Sequence, residues 1–131
     1  GDNVVRHVSL RPETLKVVKD AMWGVVNEEG TGTKARLEGY DVCGKTGTAQ
    51  VFKMSRDIDS DKLPKDKRDH AWFVGFAPKD DPQIAFAVLV QNGGHGGTVS
   101  APIARAVLER FFQQKEKLRE GLRVASASPS R

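Results

Sequence analysis

A run of four residues, Lys45-Thr46-Gly47-Thr48, carries groups that together could bind and activate an anionic substrate. The lysine ammonium and the threonine hydroxyl both donate hydrogen bonds to a carboxylate. Gly47 leaves room for a ligand to approach the backbone, and the N–H of Thr48 after it could stabilise an oxyanion. We therefore take Lys45 as the candidate catalytic residue and Thr46, Gly47 and Thr48 as the candidate substrate-binding residues.

The same residues also complete a phosphate-binding loop pattern, because the run from Gly39 to Thr46 reads G-x-x-x-x-G-K-T. Such a loop needs a buried strand that delivers it and a helix that begins directly behind it. Residues 31–38 lack the apolar character of a buried strand, and residues 48–52 have the composition of a strand, not of a helix. The flanking sequence therefore disfavours nucleotide binding.

Three strands and two helices are predicted to position the motif. Apolar periodicity and composition predict helices over 12–28 and 101–116 and strands over Tyr40–Phe52, His70–Ala77 and Gln83–Asn92. The five turn-type residues 78–82 favour an antiparallel hairpin between the last two strands. These elements predict an α/β fold of the α+β kind, an antiparallel sheet with His70–Ala77 in its centre and helices flanking it.

The position of the motif within this sheet has two consequences. The last two strands are apolar on both faces, which predicts that the sheet is covered on both sides. The first strand lies at an edge, where an extended peptide could pair with its free N–H and C=O groups.

Charge, length and composition exclude several other classes of protein. The net charge of +4 arises mainly in residues 113–131, and the near-neutral remainder argues against nucleic-acid binding. No apolar run approaches the ~20 residues of a membrane helix, and no signal peptide opens the chain. Cys43 is a lone cysteine expected to be buried, and His95 lacks the converging ligands of a metal site. We expect no metal and no cofactor.

Three stretches around the motif carry a resemblance to a known family. They are Gly44–Val51, Arg68–Pro78 and Ile84–Gly94, and Gly30-Thr31-Gly32-Thr33 leads into the first of them. K-T-G is a signature of penicillin-binding proteins and class A β-lactamases. The combination resembles the end of the transpeptidase domain of class B penicillin-binding proteins of the elongation type, from about Pro12 to Phe112.

The resemblance implies a serine β-lactamase/transpeptidase-like fold and a serine-type D,D-transpeptidase that cross-links peptidoglycan stem peptides and is acylated by β-lactam antibiotics. It implies a location at the periplasmic face of the bacterial inner membrane, through an N-terminal anchor that this chain lacks. Lys45, Thr46 and Gly47 match the third motif of the family. Thr48 matches the oxyanion and substrate-amide position after it.

The first two motifs of the family, S-x-x-K and S-x-N, are absent. None of the seven serines has a lysine three residues later or an asparagine two residues later. We therefore expect residues 1–112 to be the C-terminal part of a transpeptidase domain, inactive without the remainder of that domain, and residues 113–131 to be a helix end and a disordered tail. The alternative is a non-catalytic module that binds peptides or proteins through the same strand edge.

Overall fold

The structure, a computed structural model, describes residues 8–51 and 59–127. These residues form two helices and three strands, α1 (Pro12–Asn27), β1 (Cys43–Ala49), β2 (His70–Ala77), β3 (Ile84–Val90) and α2 (Gly96–Ala127), with short 3₁₀ turns at Thr33–Ala35, Ser60–Lys62 and Lys65–Lys67. The predicted order of elements is confirmed. The first predicted strand, Tyr40–Phe52, is shorter in the structure, where β1 begins at Cys43 and ends at Ala49; Phe52 itself lies outside the described residues.

The three strands form one antiparallel sheet in the order β1-β2-β3. The predicted hairpin and the central position of residues 70–77 are therefore confirmed. Lys45 lies within β1, directly opposite Val74 of β2. Because the lysine of the phosphate-loop pattern stands in a strand and no helix begins behind it, the fold lacks the geometry that such a loop requires.

One face of the sheet is buried beneath α2. Phe73 in the middle of β2 is fully buried, and so is Leu108 of α2. The hydroxyl of Ser100 donates a 2.9 Å hydrogen bond to the carbonyl of Ala71, which ties the first turns of α2 to β2. The buried cluster on this side comprises Val26, Ala35, Leu37, Val42, Phe73, Ala77, Ala101, Ala104, Leu108 and Phe112.

The opposite face of the sheet is open among the described residues, which do not provide the predicted cover on both sides. We call this the open face; it consists of Trp72, Val74, Phe76, Ala85, Ala87 and Leu89. Val74 is 39% exposed and Leu89 is 49% exposed. The reason is the position of α1, which packs against the edge strand β1 instead of crossing β2 and β3.

Both helices differ from their predictions in ways that follow from packing. In α1, the predicted apolar stripe is buried only at its C-terminal end, at Val26, while Leu15 and Val18 remain exposed. The second helix begins at Gly96, five residues before the predicted start at 101, and continues to Ala127. Part of the tail predicted to be disordered is therefore helical, as far as Ala127, and residues 128–131 lie outside the described residues.

The extension of α2 has a simple cause. Residues 115–120 are Lys, Glu, Lys, Leu, Arg and Glu, all strong helix formers, and Gly121 costs only about 1 kcal/mol in a helix interior. Despite its length, α2 is too polar to cross a bilayer, and no helix among the described residues is long and apolar enough to do so.

Candidate active site

The predicted site residues lie along the outer edge of the sheet. β1 pairs with β2 on one side, and no other strand of the described residues pairs with its second side. The sequence therefore predicted correctly that Lys45, Thr46, Gly47 and Thr48 share an edge strand. Such an edge presents free N–H and C=O groups to an extended ligand.

The side chains of β1 alternate between the two faces of the sheet. Lys45 is exposed and lies on the open face, beside its partner Val74. Its ammonium group donates a 3.1 Å hydrogen bond to the carbonyl oxygen of Thr46. The Lys45 ammonium is thus held against the backbone of β1, at the start of the K-T-G motif.

Thr46 lies on the other face and contacts the loop that follows α1. Its hydroxyl oxygen is 2.7 Å from the hydroxyl oxygen of Thr31, and either group can be the donor. Thr31 belongs to the segment that leads into the motif strand, and the sequence predicted no contact between it and the motif. This hydrogen bond is a feature that spacing alone did not reveal.

A cavity of about 400 Å³ opens beside Thr46, between β1, the Thr31 loop and the start of α2. Five of its nine lining residues are threonines; the lining consists of Thr31, Thr33, Lys34, Thr46, Thr48, His95, Gly96, Gly97 and Thr98. The N-terminal end of α2 carries a partial positive charge. The cavity therefore combines threonine hydroxyl groups, Lys34 and a helix N-terminus, which suits an anionic group.

A larger cleft of about 810 Å³ lies elsewhere, between α1 and α2. It is lined by Trp23, Arg36, Tyr40 and Arg105 among others, and none of the motif residues reaches it. We place the candidate site at the smaller cavity because Thr46 and Thr48 line it.

Glycines permit the close backbone contacts that shape this end of the sheet. A Cβ atom on Gly96 would lie 2.1 Å from the carbonyl oxygen of Trp72 and 2.7 Å from that of Gly47. At Gly47 a Cβ atom would lie 3.2 Å from the Cβ of Trp72, on the open face. A side chain at Gly47 would therefore crowd Trp72 and the open face, in addition to narrowing the room that a glycine leaves for a ligand beside the backbone.

Three exposed residues form a cluster next to the cavity. His95 Nε2 lies 3.1 Å from Asp59 Oδ1, and ligand atoms of Asp59, Asp61 and His95 all lie within 4.8 Å of one another. The hydrogen bond from His95, followed by one from the Asp61 N–H, lowers the pKa of Asp59 below its usual value. This grouping was not predicted, because His95 is far from Asp59 and Asp61 in the sequence. The expectation that no metal binds stays a prediction.

Cys43 precedes the motif but lies in a very different environment. It is fully buried, as predicted, and its thiol donates a weak 3.7 Å hydrogen bond to the carbonyl of Lys19 in α1. Burial raises the pKa of the Cys43 thiol to about 11. A thiol that stays protonated is a poor nucleophile, so Cys43 packs the strand against α1 and does not act on a substrate.

Two residues at the start of β2 fix the loops around the site. His70 Nδ1 accepts a 3.0 Å hydrogen bond from the N–H of Asn92, which ties the start of β2 to the turn after β3. Asp69 is nearly buried; its N–H donates to the Ser60 hydroxyl at 2.8 Å, and its carbonyl accepts from the Gly94 N–H at 2.9 Å. Trp72 of β2 is half-buried on the open face.

A family model for the penicillin-binding protein transpeptidase domain matches residues 2–109. The match includes all of α1, all three strands and the first part of α2, and it contains the whole K-T-G strand with the residues around its cavity. The chain belongs to the penicillin-binding protein transpeptidase family. The resemblance to class B members that the motifs indicated is confirmed by the relatives found.

Peptidoglycan D,D-transpeptidase MrdA of Haemophilus influenzae is 39% identical over 104 residues, which are 76% of this chain and 16% of that protein. The crystal structure of Pseudomonas aeruginosa PBP2 in complex with WCK 5153 is 38% identical, with a TM-score of 0.61, over 80% of this chain and 20% of that one. A ceftriaxone acyl-enzyme complex of penicillin-binding protein A from M. tuberculosis is 33% identical, with a TM-score of 0.59, over 76% and 21%.

The transpeptidase relatives are thus much longer than this chain, which spans about one sixth of the length of the curated protein described. The likeness also confirms the fold class, an α+β arrangement of the penicillin-binding protein and β-lactamase kind. What the geometry adds is the neighbourhood of the motif: the Thr31 hydroxyl, the α2 N-terminus and the open face beside Lys45.

Proposed function

We propose that this chain is the C-terminal part of a peptidoglycan D,D-transpeptidase domain and supplies its substrate-binding strand. The observation that carries the proposal is the edge of β1 with which no described strand pairs. Lys45, Thr46 and Thr48, which match the motif of this family, all lie on that strand. The edge and the cavity beside it fit the two parts of a peptide terminus, an extended backbone and a carboxylate.

Each motif residue has a role in this proposal. A stem peptide pairs with the edge of β1 as an added strand. The hydroxyl groups of Thr46 and Thr48, which line the cavity, donate to the carboxylate of the peptide. The Lys45 ammonium supplies positive charge at the reacting end, and the N–H of Thr48 stabilises the oxyanion of the acyl-transfer step. These donors are fixed by the strand before the substrate arrives.

The remainder of the transpeptidase domain is the partner that we propose for the open face. Lys45 lies on that face, so a segment that covers Val74 and Leu89 would also approach the Lys45 ammonium. The nucleophilic serine and its lysine, which the chain lacks by sequence, would reach the motif from this side. The much greater length of the relatives supports such a segment. Residues 1–112 form the corresponding unit, and residues 113–131 extend beyond it.

β-Lactam antibiotics are the second ligand class in the proposal, because the acyl-enzyme complex of the M. tuberculosis relative forms with one of them. A β-lactam carries a carboxylate next to its reactive carbonyl, which matches the cavity and the oxyanion donor. We place the parent protein at the periplasmic face of the inner membrane, where peptidoglycan is assembled. We propose that the function needs no metal and no cofactor.

A fluorescent penicillin tests the proposal in two proteins. The 131-residue chain by itself is expected to stay unlabelled, since none of its seven serines has a lysine three residues later. The protein encoded by the complete reading frame is expected to bind the probe covalently, in a form that survives a denaturing gel. A stoichiometric adduct on the chain alone would contradict the assignment of the missing nucleophile. A complete protein that binds peptides without labelling would favour the non-catalytic module instead.

A further inference from the structure

The hydrogen bond between Thr31 and Thr46 carries an inference that rests on the proposed function and extends it. At 2.7 Å the two oxygen atoms are at the ordinary separation of a hydroxyl–hydroxyl hydrogen bond. Each hydroxyl has one hydrogen to donate and can also accept. One of the two therefore uses its only hydrogen inside the pair, and the other keeps its hydrogen for a further partner.

Close backbone packing holds Thr31 in place. The N–H of Gly32 donates a 3.0 Å hydrogen bond to the carbonyl of Val25 at the end of α1. A Cβ atom on Gly97 would lie 2.2 Å from the carbonyl oxygen of Thr31, so the first turn of α2 lies directly against this loop. The Thr31 hydroxyl is thus presented to Thr46 by a loop wedged between the two helices.

A carboxylate accepts hydrogen bonds but has none to donate, and this decides the direction of the pair. If Thr46 donates to Thr31, it has no hydrogen left for a carboxylate in the cavity. If Thr31 donates to Thr46, the Thr46 hydrogen is free to point at the ligand. In the resulting series, from Thr31 to Thr46 and from Thr46 to the carboxylate, each hydrogen bond polarises the next one.

We propose that Thr31 is a positioning residue that donates to Thr46 and so directs the Thr46 hydroxyl hydrogen to the carboxylate of the bound peptide or β-lactam. Thr31 acts through Thr46 and touches no reacting atom. Its effect is selective, because a charged acceptor gains more from an oriented donor than a neutral one. Thr31 thereby contributes to the preference of the site for a free carboxylate.

The test compares two ligands on the complete parent protein, benzylpenicillin with its free carboxylate and the methyl ester of benzylpenicillin. The quantity measured is the ratio of their second-order acylation rates. Loss of correctly folded protein lowers both rates equally and leaves the ratio unchanged. Thr31→Val is expected to lower the rate with benzylpenicillin by about fivefold to tenfold and the rate with the ester by less than about twofold.

Three further variants sharpen the test. Thr31→Ser keeps the donor and is expected to restore the ratio to within about twofold of wild type. Thr14→Val makes the same exchange of atoms in the exposed first turn of α1, at the other end of that helix from Thr31, and is expected to leave the ratio unchanged. In a Thr46→Val background, Thr31→Val is expected to cause no further change, since the two hydroxyls act as a unit.

The outcomes separate the two levels of the proposal. A ratio that stays at the wild-type value in Thr31→Val, whether or not both rates fall together, overturns the positioning role of Thr31. A ratio that falls equally in Thr31→Ser overturns it as well, because the hydroxyl would then not be the cause. A wild-type parent that neither ligand acylates overturns the proposed function on which the inference rests.

Discussion

The two faces of the sheet show how one set of strands serves packing on one side and leaves a surface for function on the other. On the face beneath α2, Phe73 and Leu108 are fully buried in a single apolar cluster. On the open face, Val74 and Leu89 are apolar yet substantially exposed, and Lys45 lies beside them. Neighbouring residues of the same strands therefore experience opposite environments.

Apolar character alone therefore does not predict which face of a strand the chain itself covers. The covered face owes its burial to α2, which follows β3 after a short loop and packs back on the sheet. The open face is as apolar in composition but has no helix of its own among the described residues. An exposed apolar sheet face with a lysine at its edge is typical of a surface that another protein segment covers.

The largest expected effect on stability lies on the covered face. Phe73→Ala removes a fully buried ring from the cluster under α2 and is expected to lower the free energy of unfolding by about 3–5 kcal/mol. Urea unfolding of the 131-residue chain measures it. The matched change on the open face, Leu89→Ala, is expected to cost under about 1 kcal/mol in the chain.

The same Leu89→Ala variant distinguishes the chain from its parent. If the remainder of the domain covers the open face, the variant is expected to cost about 2 kcal/mol or more in the complete protein. An equally small loss in both proteins would contradict the proposed cover. A Phe73→Ala loss no larger than that of Leu89→Ala in the chain would contradict the contrast between the faces.

The next effect concerns rate. Lys45→Ala in the parent protein is expected to slow acylation by β-lactams by about 10²–10³-fold, the usual result of losing one preorganised electrostatic contact. Lys45 is exposed and lies outside the cluster that is buried under α2. The melting temperature of the variant is therefore expected to change little. Second-order acylation rates and melting curves of the same samples measure both. An acylation rate within about threefold of wild type would show that the assignment of the motif is wrong.

Two glycines of β1 extend the comparison at a smaller scale. A Cβ atom on Gly44 would lie 2.4 Å from the Phe73 ring on the covered face, whereas at Gly47 it would lie 3.2 Å from the Cβ of Trp72 on the open face. Gly44→Ala is expected to destabilise the chain by about 1–3 kcal/mol through overpacking. Gly47→Ala is expected to cost less, because Trp72 is only half-buried and can shift. Urea unfolding of both variants checks the order, and the reverse order would refute it.

The sequence was sufficient for the parts of the fold that local patterns determine. The bounds of β2 were predicted to the residue, and α1 to within one residue, because their apolar periodicity and flanking turn residues coincide. The edge position of Lys45 followed from the hairpin 78–82. These features depend on neighbours in the sequence, so one sequence carries them.

What the sequence did not predict depends on contacts between distant segments. The hydrogen bond between Thr31 and Thr46 joins residues 15 apart through the packing of a loop against α2. The cluster of Asp59 and His95 joins residues 36 apart. The open face escaped prediction because the path of α1 beside β1 is set by tertiary packing, through contacts such as Asn27 Nδ2 with the carbonyl of Val42 at 2.9 Å. No periodicity in one segment encodes such distances.

The smallest expected effect concerns Cys43, which is buried although it lies on the same side of β1 as the open face. It lies opposite Phe76, yet α1 covers it, and burial raises the pKa of its thiol to about 11. The folded chain therefore holds the thiol proton more tightly than the unfolded chain, whose thiol has a pKa of about 9. This contribution to stability is complete below about pH 9 and is lost as the pH rises toward 11.

At pH 8, iodoacetamide is expected to alkylate the folded chain far more slowly than the urea-unfolded chain. Because other groups also titrate in this range, Cys43→Ala serves as the control, and the part of the pH dependence that disappears with it belongs to the thiol. Equal alkylation rates in the folded and unfolded chain would show that α1 does not cover this end of the face.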